Sequence, residues 1–107
     1  MSLSDGGGED APHLIRSRNN ERIKLSKPVF RIGKERSFAD YFISDNTAVS
    51  RGHAEFTSRG GEYFVSDMNS TNHTYVNDEM LAGGTAARIR HGDKIRLADE
   101  EFEFRLY

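Results

Sequence analysis

An all-β fold, an antiparallel sandwich of about ten short strands, is what three features of this sequence predict. The run from Glu101 to Tyr107 alternates Phe102, Phe104 and Leu106 with Glu101, Glu103 and Arg105, the period of two that places apolar residues on one face of a strand. Clusters of glycine, asparagine and aspartate punctuate the chain about every 6 to 12 residues, as suits short strands joined by tight turns. No apolar stripe recurs at helical spacing. Sandwiches of this kind gather their binding loops at one end.

Each element has its own warrant. Met1 to Ala11 carries Gly6-Gly7-Gly8 beside Asp5, Glu9 and Asp10, too small and polar to pack, so residues 1–11 are expected to be a disordered lead or linker ahead of a domain at 12–107. Leu14-Ile15, a turn at Arg18 to Glu21, and Ile23 and Leu25 alternating with Arg22 and Lys24 form a hairpin. Val29-Phe30-Arg31-Ile32 is a third strand ending at Gly33, residues 34–40 are a loop, and Tyr41-Phe42-Ile43 is a short fourth strand. Ala54 and Phe56 alternate with His53 and Glu55, and Arg59-Gly60-Gly61-Glu62 turns that strand into Tyr63-Phe64-Val65, because paired glycines supply the positive φ of a tight hairpin. Further strands follow at Thr74 to Val76, Met80-Leu81, Ala87 to Arg90, Lys94 to Leu97 and Glu101 to Tyr107. The phenylalanines and tyrosines are expected to point inward as core.

Composition narrows the function classes. A chain of 107 residues fits one small domain, which can bury roughly two thirds of the surface its unfolded form exposes. Fifteen Lys and Arg against seventeen Asp and Glu give a net charge of −2, so neither nucleic acid nor a membrane surface is expected to be held by the overall field. Any basic site must be local. The absence of cysteine excludes a disulfide scaffold, a thiolate nucleophile and a cysteine-ligated zinc, and suits a reducing compartment such as the cytoplasm. No apolar run approaches the roughly 20 residues that cross a bilayer as a helix, so no membrane insertion is expected. His13, His53, His73 and His91 lack the spacing of metal ligands, and neither a metal nor another cofactor is expected.

Two loops between strands, Ser50-Arg51-Gly52-His53 and Ser70-Thr71-Asn72, set small hydroxyls beside a cation or an amide. Short, fixed donors of this kind hold an anion, and phosphate is the obvious one. Gly33-Lys34 ends a strand in a glycine and a cation and can bring positive charge to the same place. Taken singly, Ser50 and Thr71 read equally as turn residues capping backbone groups, and Lys34 and Arg36 as solvated surface cations.

Phe30-Arg31-Ile32-Gly33-Lys34, Val49-Ser50-Arg51-Gly52-His53-Ala54 and Asp67 to Asn77, which contains Ser70-Thr71-Asn72-His73-Thr74, together resemble the forkhead-associated (FHA) domain. The resemblance spans about residues 13 to 107 and rests on three motifs in order. It implies an eleven-stranded β-sandwich that binds phosphothreonine peptides through loops at one end. It also assigns roles. Ser50 donates its hydroxyl to the phosphate, Arg51 adds a backbone N–H or its guanidinium, and Lys34 stands where the family has an arginine. Thr71 gives a second donor, Asn72 bonds the peptide main chain, and His53 braces the loop without touching ligand, with Gly33 as further structural support of the loops. The sequence departs from the family pattern at Lys34, which keeps the charge but loses the planar fork of donors, and at His73 and Asp78, which replace glycines.

Two functional readings follow from different emphases. In one, a Ser/Thr kinase modifies a partner and this module recruits it, with no catalytic residue and as part of a longer chain. In the other, Lys34 and His73 mark an FHA-like interaction module that has lost phosphate dependence. A hydrolase built on Ser50, His53 and Asp67 lacks the Gly-x-Ser-x-Gly elbow, and an oligonucleotide-binding barrel lacks a basic, aromatic-studded face.

Overall fold

A computed structural model describes residues 11–107; the expected lead at 1–11 lies, but for Ala11, outside the described residues. Eleven strands follow in order: β1 (His13–Arg16), β2 (Arg22–Lys24), β3 (Val29–Gly33), β4 (Tyr41–Phe42), β5 (Ala54–Arg59), β6 (Glu62–Asp67), β7 (Thr74–Val76), β8 (Glu79–Met80), β9 (Ala86–Ile89), β10 (Lys94–Leu97) and β11 (Glu100–Arg105). They form two sheets, one ordered β2-β1-β11-β10-β7-β8 and the other β4-β3-β5-β6-β9. No helix among the described residues is long and apolar enough to cross a membrane.

The alternation read from sequence sets which faces meet. Phe102 and Phe104 of β11 pack inward with Leu14, Ile95 and Leu97 from their own sheet against Ile32, Phe56 and Val65 from the other. Full burial of such side chains stabilises by roughly 1.5–3 kcal/mol each. The hairpin at Gly60-Gly61 has φ of 61° and 80°, and Asn77-Asp78, at 49° and 71°, makes the same kind of turn between β7 and β8, so aspartate serves where glycine would be easier.

Two features differ from the expectation. β4 runs parallel to β3, with Ile32 beside Tyr41, although every other pair for which a register is given is antiparallel. The chain doubles back through a 3-10 turn at Arg36–Phe38, and the Asp40 and Ile43 N–H groups donate to the Arg31 and Gly33 carbonyls at 2.8 and 2.7 Å. Alternation carries no information about strand direction. The aromatic residues also divide. Phe30, Phe56, Phe102 and Phe104 are core, whereas Phe38, Phe42 and Tyr107 are exposed, because they lie in a loop, on an edge strand and past the last strand.

Strand register decides where the loops emerge. Ile32 pairs with Ala54, Ala54 with Asp67, and Thr74 with Leu97, so the β3–β4, β4–β5 and β6–β7 loops leave the sandwich at one end. The β4–β5 loop is anchored, through Asp45 and Asn46, to a buried ion pair of the opposite sheet, Arg16–Glu100. Arg16 donates from Nε to Glu100 at 2.6 Å and from Nη2 to Asp45 at 2.9 Å. Asn46 donates to Glu100 at 2.9 Å while its own carbonyl takes the Ala48 N–H at 2.9 Å. Burial pushes the Glu100 carboxyl up, but the bonds from Arg16 and Asn46 outweigh it and hold the group below its usual range.

Candidate functional site

Gly33 and Lys34 approach the next loop backbone to backbone. A Cβ on Gly33 would lie 2.0 Å from the Arg51 carbonyl oxygen. With only hydrogen there, the Lys34 and Glu35 N–H groups reach the Ser50 and Arg51 carbonyls at 2.8 and 3.2 Å. The requirement is close approach, since Gly33 is not among the positive-φ glycines.

His53 is fully buried and ties its own β4–β5 loop to the β6–β7 loop and to the end of β3. Its Nδ1 accepts the Ser50 N–H at 3.0 Å, which leaves Nε2 as the protonated nitrogen, donating to the His73 carbonyl at 2.9 Å. Its backbone N–H donates to Ile32 and its carbonyl takes the Met68 N–H, both at 2.9 Å. Burial pushes this imidazole below its ordinary pKa, against the pull of the His73 bond and the nearby Asp67 charge. The unfolded imidazole titrates near 6.5 and the folded one lower, so in this range the unfolded state binds more protons. Stability is therefore expected to be insensitive to His53 above about pH 6.5 and to decline as pH falls below it. Urea melts at about pH 7.5 and 5.5 check this, and His53→Gln is expected to lack that share of the decline. Equal melting of the native chain at both values would contradict it.

The β6–β7 loop is shaped from within. The Asp67 carboxylate accepts from the Ser70 hydroxyl and N–H at 2.5 and 2.8 Å and from the Thr74 hydroxyl at 2.7 Å. Burial opposes this charge, and those three donors more than offset it, so the carboxyl sits below its usual range. His73 has φ of 68°, the left-handed region in which a non-glycine residue costs of order 1 kcal/mol. Its carbonyl is thereby aimed at both the His53 Nε2–H and the Ala98 N–H, at 2.9 and 3.0 Å.

The hydroxyl of Ser50 accepts the Thr71 N–H at 3.0 Å, which frees its own hydrogen for another partner. Asn72 donates one amide hydrogen to the Ala48 carbonyl at 2.9 Å and keeps its carbonyl oxygen and second hydrogen. Lys34, Ser50, Arg51, Thr71 and Asn72 line a single open cleft of about 620 Å³, and no acidic residue lines it. Gly33 and His53 lie behind it. Phe38 and Met68 supply an apolar wall that sequence reading missed, with the Arg51 guanidinium 5.9 Å from the Phe38 ring centre. The signal available was an aromatic residue in a loop, outside any alternating run.

Ser50, His53 and Asp67 are not arranged as a hydrolytic triad. His53 meets the Ser50 backbone rather than its hydroxyl, and Asp67 bonds Ser70 and Thr74.

A family model described as the FHA domain matches residues 30–98. Over 76 residues the chain is 40% identical to the glycogen accumulation regulator GarA of Mycolicibacterium smegmatis, covering 71% of this chain and 45% of GarA. It therefore spans less than half of that relative. The solved structure of Mycobacterium tuberculosis EmbR in complex with a low affinity phosphopeptide superposes with a TM-score of 0.81 at 29% identity, covering 89% of this chain and 24% of that one. A structure from a study of phosphothreonine-dependent FHA domain interactions gives 0.80 at 28% identity, covering 91% and 97%. With the match running from β3 into the turn before β11, and with it all three loops around the cleft, this chain belongs to the FHA domain family.

Proposed function

We propose that this domain, residues 12–107, is a cytoplasmic recognition module that binds phosphothreonine-containing proteins in Ser/Thr kinase signalling and performs no chemistry itself. The observation that carries the reading is the convergence of two cations, Lys34 and Arg51, and three hydroxyl-bearing residues, Thr47, Ser50 and Thr71, on one cleft without a carboxylate. A phosphate dianion offers several acceptor sites, and charge-assisted bonds to it are about twice as strong as neutral ones. In this reading Ser50, Thr71, Lys34 and Arg51 contact the phosphate and Asn72 holds the neighbouring peptide backbone. Gly33 and His53 hold the loops. The phosphopeptide complex of EmbR and the phosphothreonine dependence named for the second neighbour support it. As in GarA and EmbR, the domain is proposed to form part of a longer chain, whose partners it selects.

Calorimetry with matched phosphothreonine, phosphoserine and unphosphorylated peptides tests the reading. Two or three charge-assisted bonds at roughly 1.5–3 kcal/mol each, less desolvation, exceed the 1.4 kcal/mol that a tenfold preference requires. The phosphothreonine peptide is expected to bind at least tenfold more tightly than its unphosphorylated twin, and equal binding would overturn the proposal. Lys34→Arg should tighten binding by roughly 0.5–1.5 kcal/mol by restoring a planar donor pair, and Lys34→Ala should weaken it by more. No change in either variant would remove Lys34 from the site.

A further inference from the structure

Beyond the Phe38 wall lies a second cavity of about 270 Å³, which shares Phe38 and Met68 with the main cleft and is otherwise lined by residues that include Arg31, Arg36 and Asp40. Its charges are unequal in their availability. Arg31 is engaged by Glu55 at 2.9 Å. Asp40 is neutralised by Lys27 at 2.5 Å and takes the Arg31 N–H at 2.9 Å. Arg36 has no carboxylate within 4 Å among the described residues, and its guanidinium rests 4.9 Å from the centre of the exposed Phe42 ring. Stacking on an aromatic face orients a guanidinium and leaves its edge donors free for a planar anion. The 3-10 turn that carries it is closed by the Phe38 N–H donating to Glu35 at 3.0 Å. Arg36 and the dividing Phe38 ring are thus presented from the same tight turn.

We infer that this cavity is a second anion subsite for the same ligand, in which Arg36 selects phosphothreonine peptides that carry a further acid group, a carboxylate or a second phosphate, near the phosphothreonine. The inference rests on the phosphopeptide reading of the main cleft. An extended peptide advances about 3.3 Å per residue, so a chain crossing the Phe38 ring reaches the second cavity within about two or three residues. One class of ligand then satisfies both positive centres, and a singly charged peptide leaves Arg36 facing solvent.

The test is a glutamate scan. A parent phosphothreonine peptide with alanine at the three positions on either side is compared with versions carrying one glutamate at each position in turn, and with a doubly phosphorylated version at the best one. The expected result is a gain of threefold or more at one or two positions on one side of the phosphothreonine. The gain should shrink at high salt, disappear in Arg36→Ala and survive in part in Arg36→Lys. The parent peptide should bind Arg36→Ala as it binds the native chain, with an unchanged melting midpoint. The doubly phosphorylated peptide distinguishes the source: a larger gain than glutamate assigns the subsite to a second phosphate, a smaller one to a carboxylate. No gain at any position, or a gain that persists in Arg36→Ala, overturns the inference while leaving the main cleft intact. A parent peptide that binds no better than its unphosphorylated form removes both readings together.

Discussion

Alanine at position 33 is expected to cost the domain about 3 kcal/mol or more, a large share of the 5–15 kcal/mol that holds a small domain folded. The methyl group would sit 2.0 Å from the Arg51 carbonyl oxygen and 2.9 Å from the Gly52 Cα, and these are backbone atoms that no side-chain rotation can clear. Relief requires β3 and the β4–β5 loop to part. That separation weakens the Lys34 and Glu35 bonds to Ser50 and Arg51, and strains the Gly33 carbonyl that receives the Ile43 N–H at 2.7 Å. Overpacking of this sort costs roughly 1–3 kcal/mol, and each backbone bond lost adds about 1 kcal/mol. Urea unfolding measures the total. A midpoint within a few tenths of a molar of the native one would show that the loop moves freely, and the account of the site as a clamped assembly would fail with it.

The second large effect separates the residue that meets the ligand from the one that holds it. Ser50→Ala removes a hydroxyl hydrogen facing the cleft and leaves the Thr71 N–H, on an exposed residue, to water, so stability should change by less than about 1 kcal/mol. Phosphopeptide affinity should drop tenfold or more, because a charge-assisted donor is worth roughly 1.5–3 kcal/mol. His53→Ala should do the reverse in order. It opens a cavity at a fully buried position and strands the Ser50 N–H and one bond to the His73 carbonyl, for about 2–4 kcal/mol of lost stability. Binding should weaken only as a consequence, with the ratio between phosphorylated and unphosphorylated peptides retained. If His53→Ala melts like the native chain, the bracing role is wrong; if Ser50→Ala binds normally, the cleft recognises something other than phosphate.

How much of this was legible depends on what each feature needs. The strands and their inward faces follow from the alternation of apolar residues, and the turns at Gly60-Gly61 and Asn77-Asp78 from residue types that tolerate positive φ. The direction of β4 was not, because a period of two is the same read either way. Lys34, Ser50, Arg51, Thr71 and Asn72 could be picked out as loop donors, and the fold brings all five to one cleft. Phe38 was misassigned to the core on its chemistry, although it sits in a stretch with no strand period. The Arg16–Glu100 pair was illegible for another reason. Its partners are separated by 84 residues and each looks like an ordinary surface charge until β1 pairs with β11 and the β4–β5 loop bonds to both.

The ties between the β4–β5 and β6–β7 loops also bear on kinetics. Thr71 is already bonded to Ser50, Asn72 to Ala48, and His53 to both Ser50 and His73, all by the chain's own groups. Loops fixed in this way have little conformational entropy left to lose, so the ordering cost of complex formation falls on the extended peptide. Capture should then be a single encounter step, its observed rate rising linearly with peptide concentration and showing no plateau from a prior loop rearrangement. Differences among peptide sequences should appear in residence time, with association rates that vary far less.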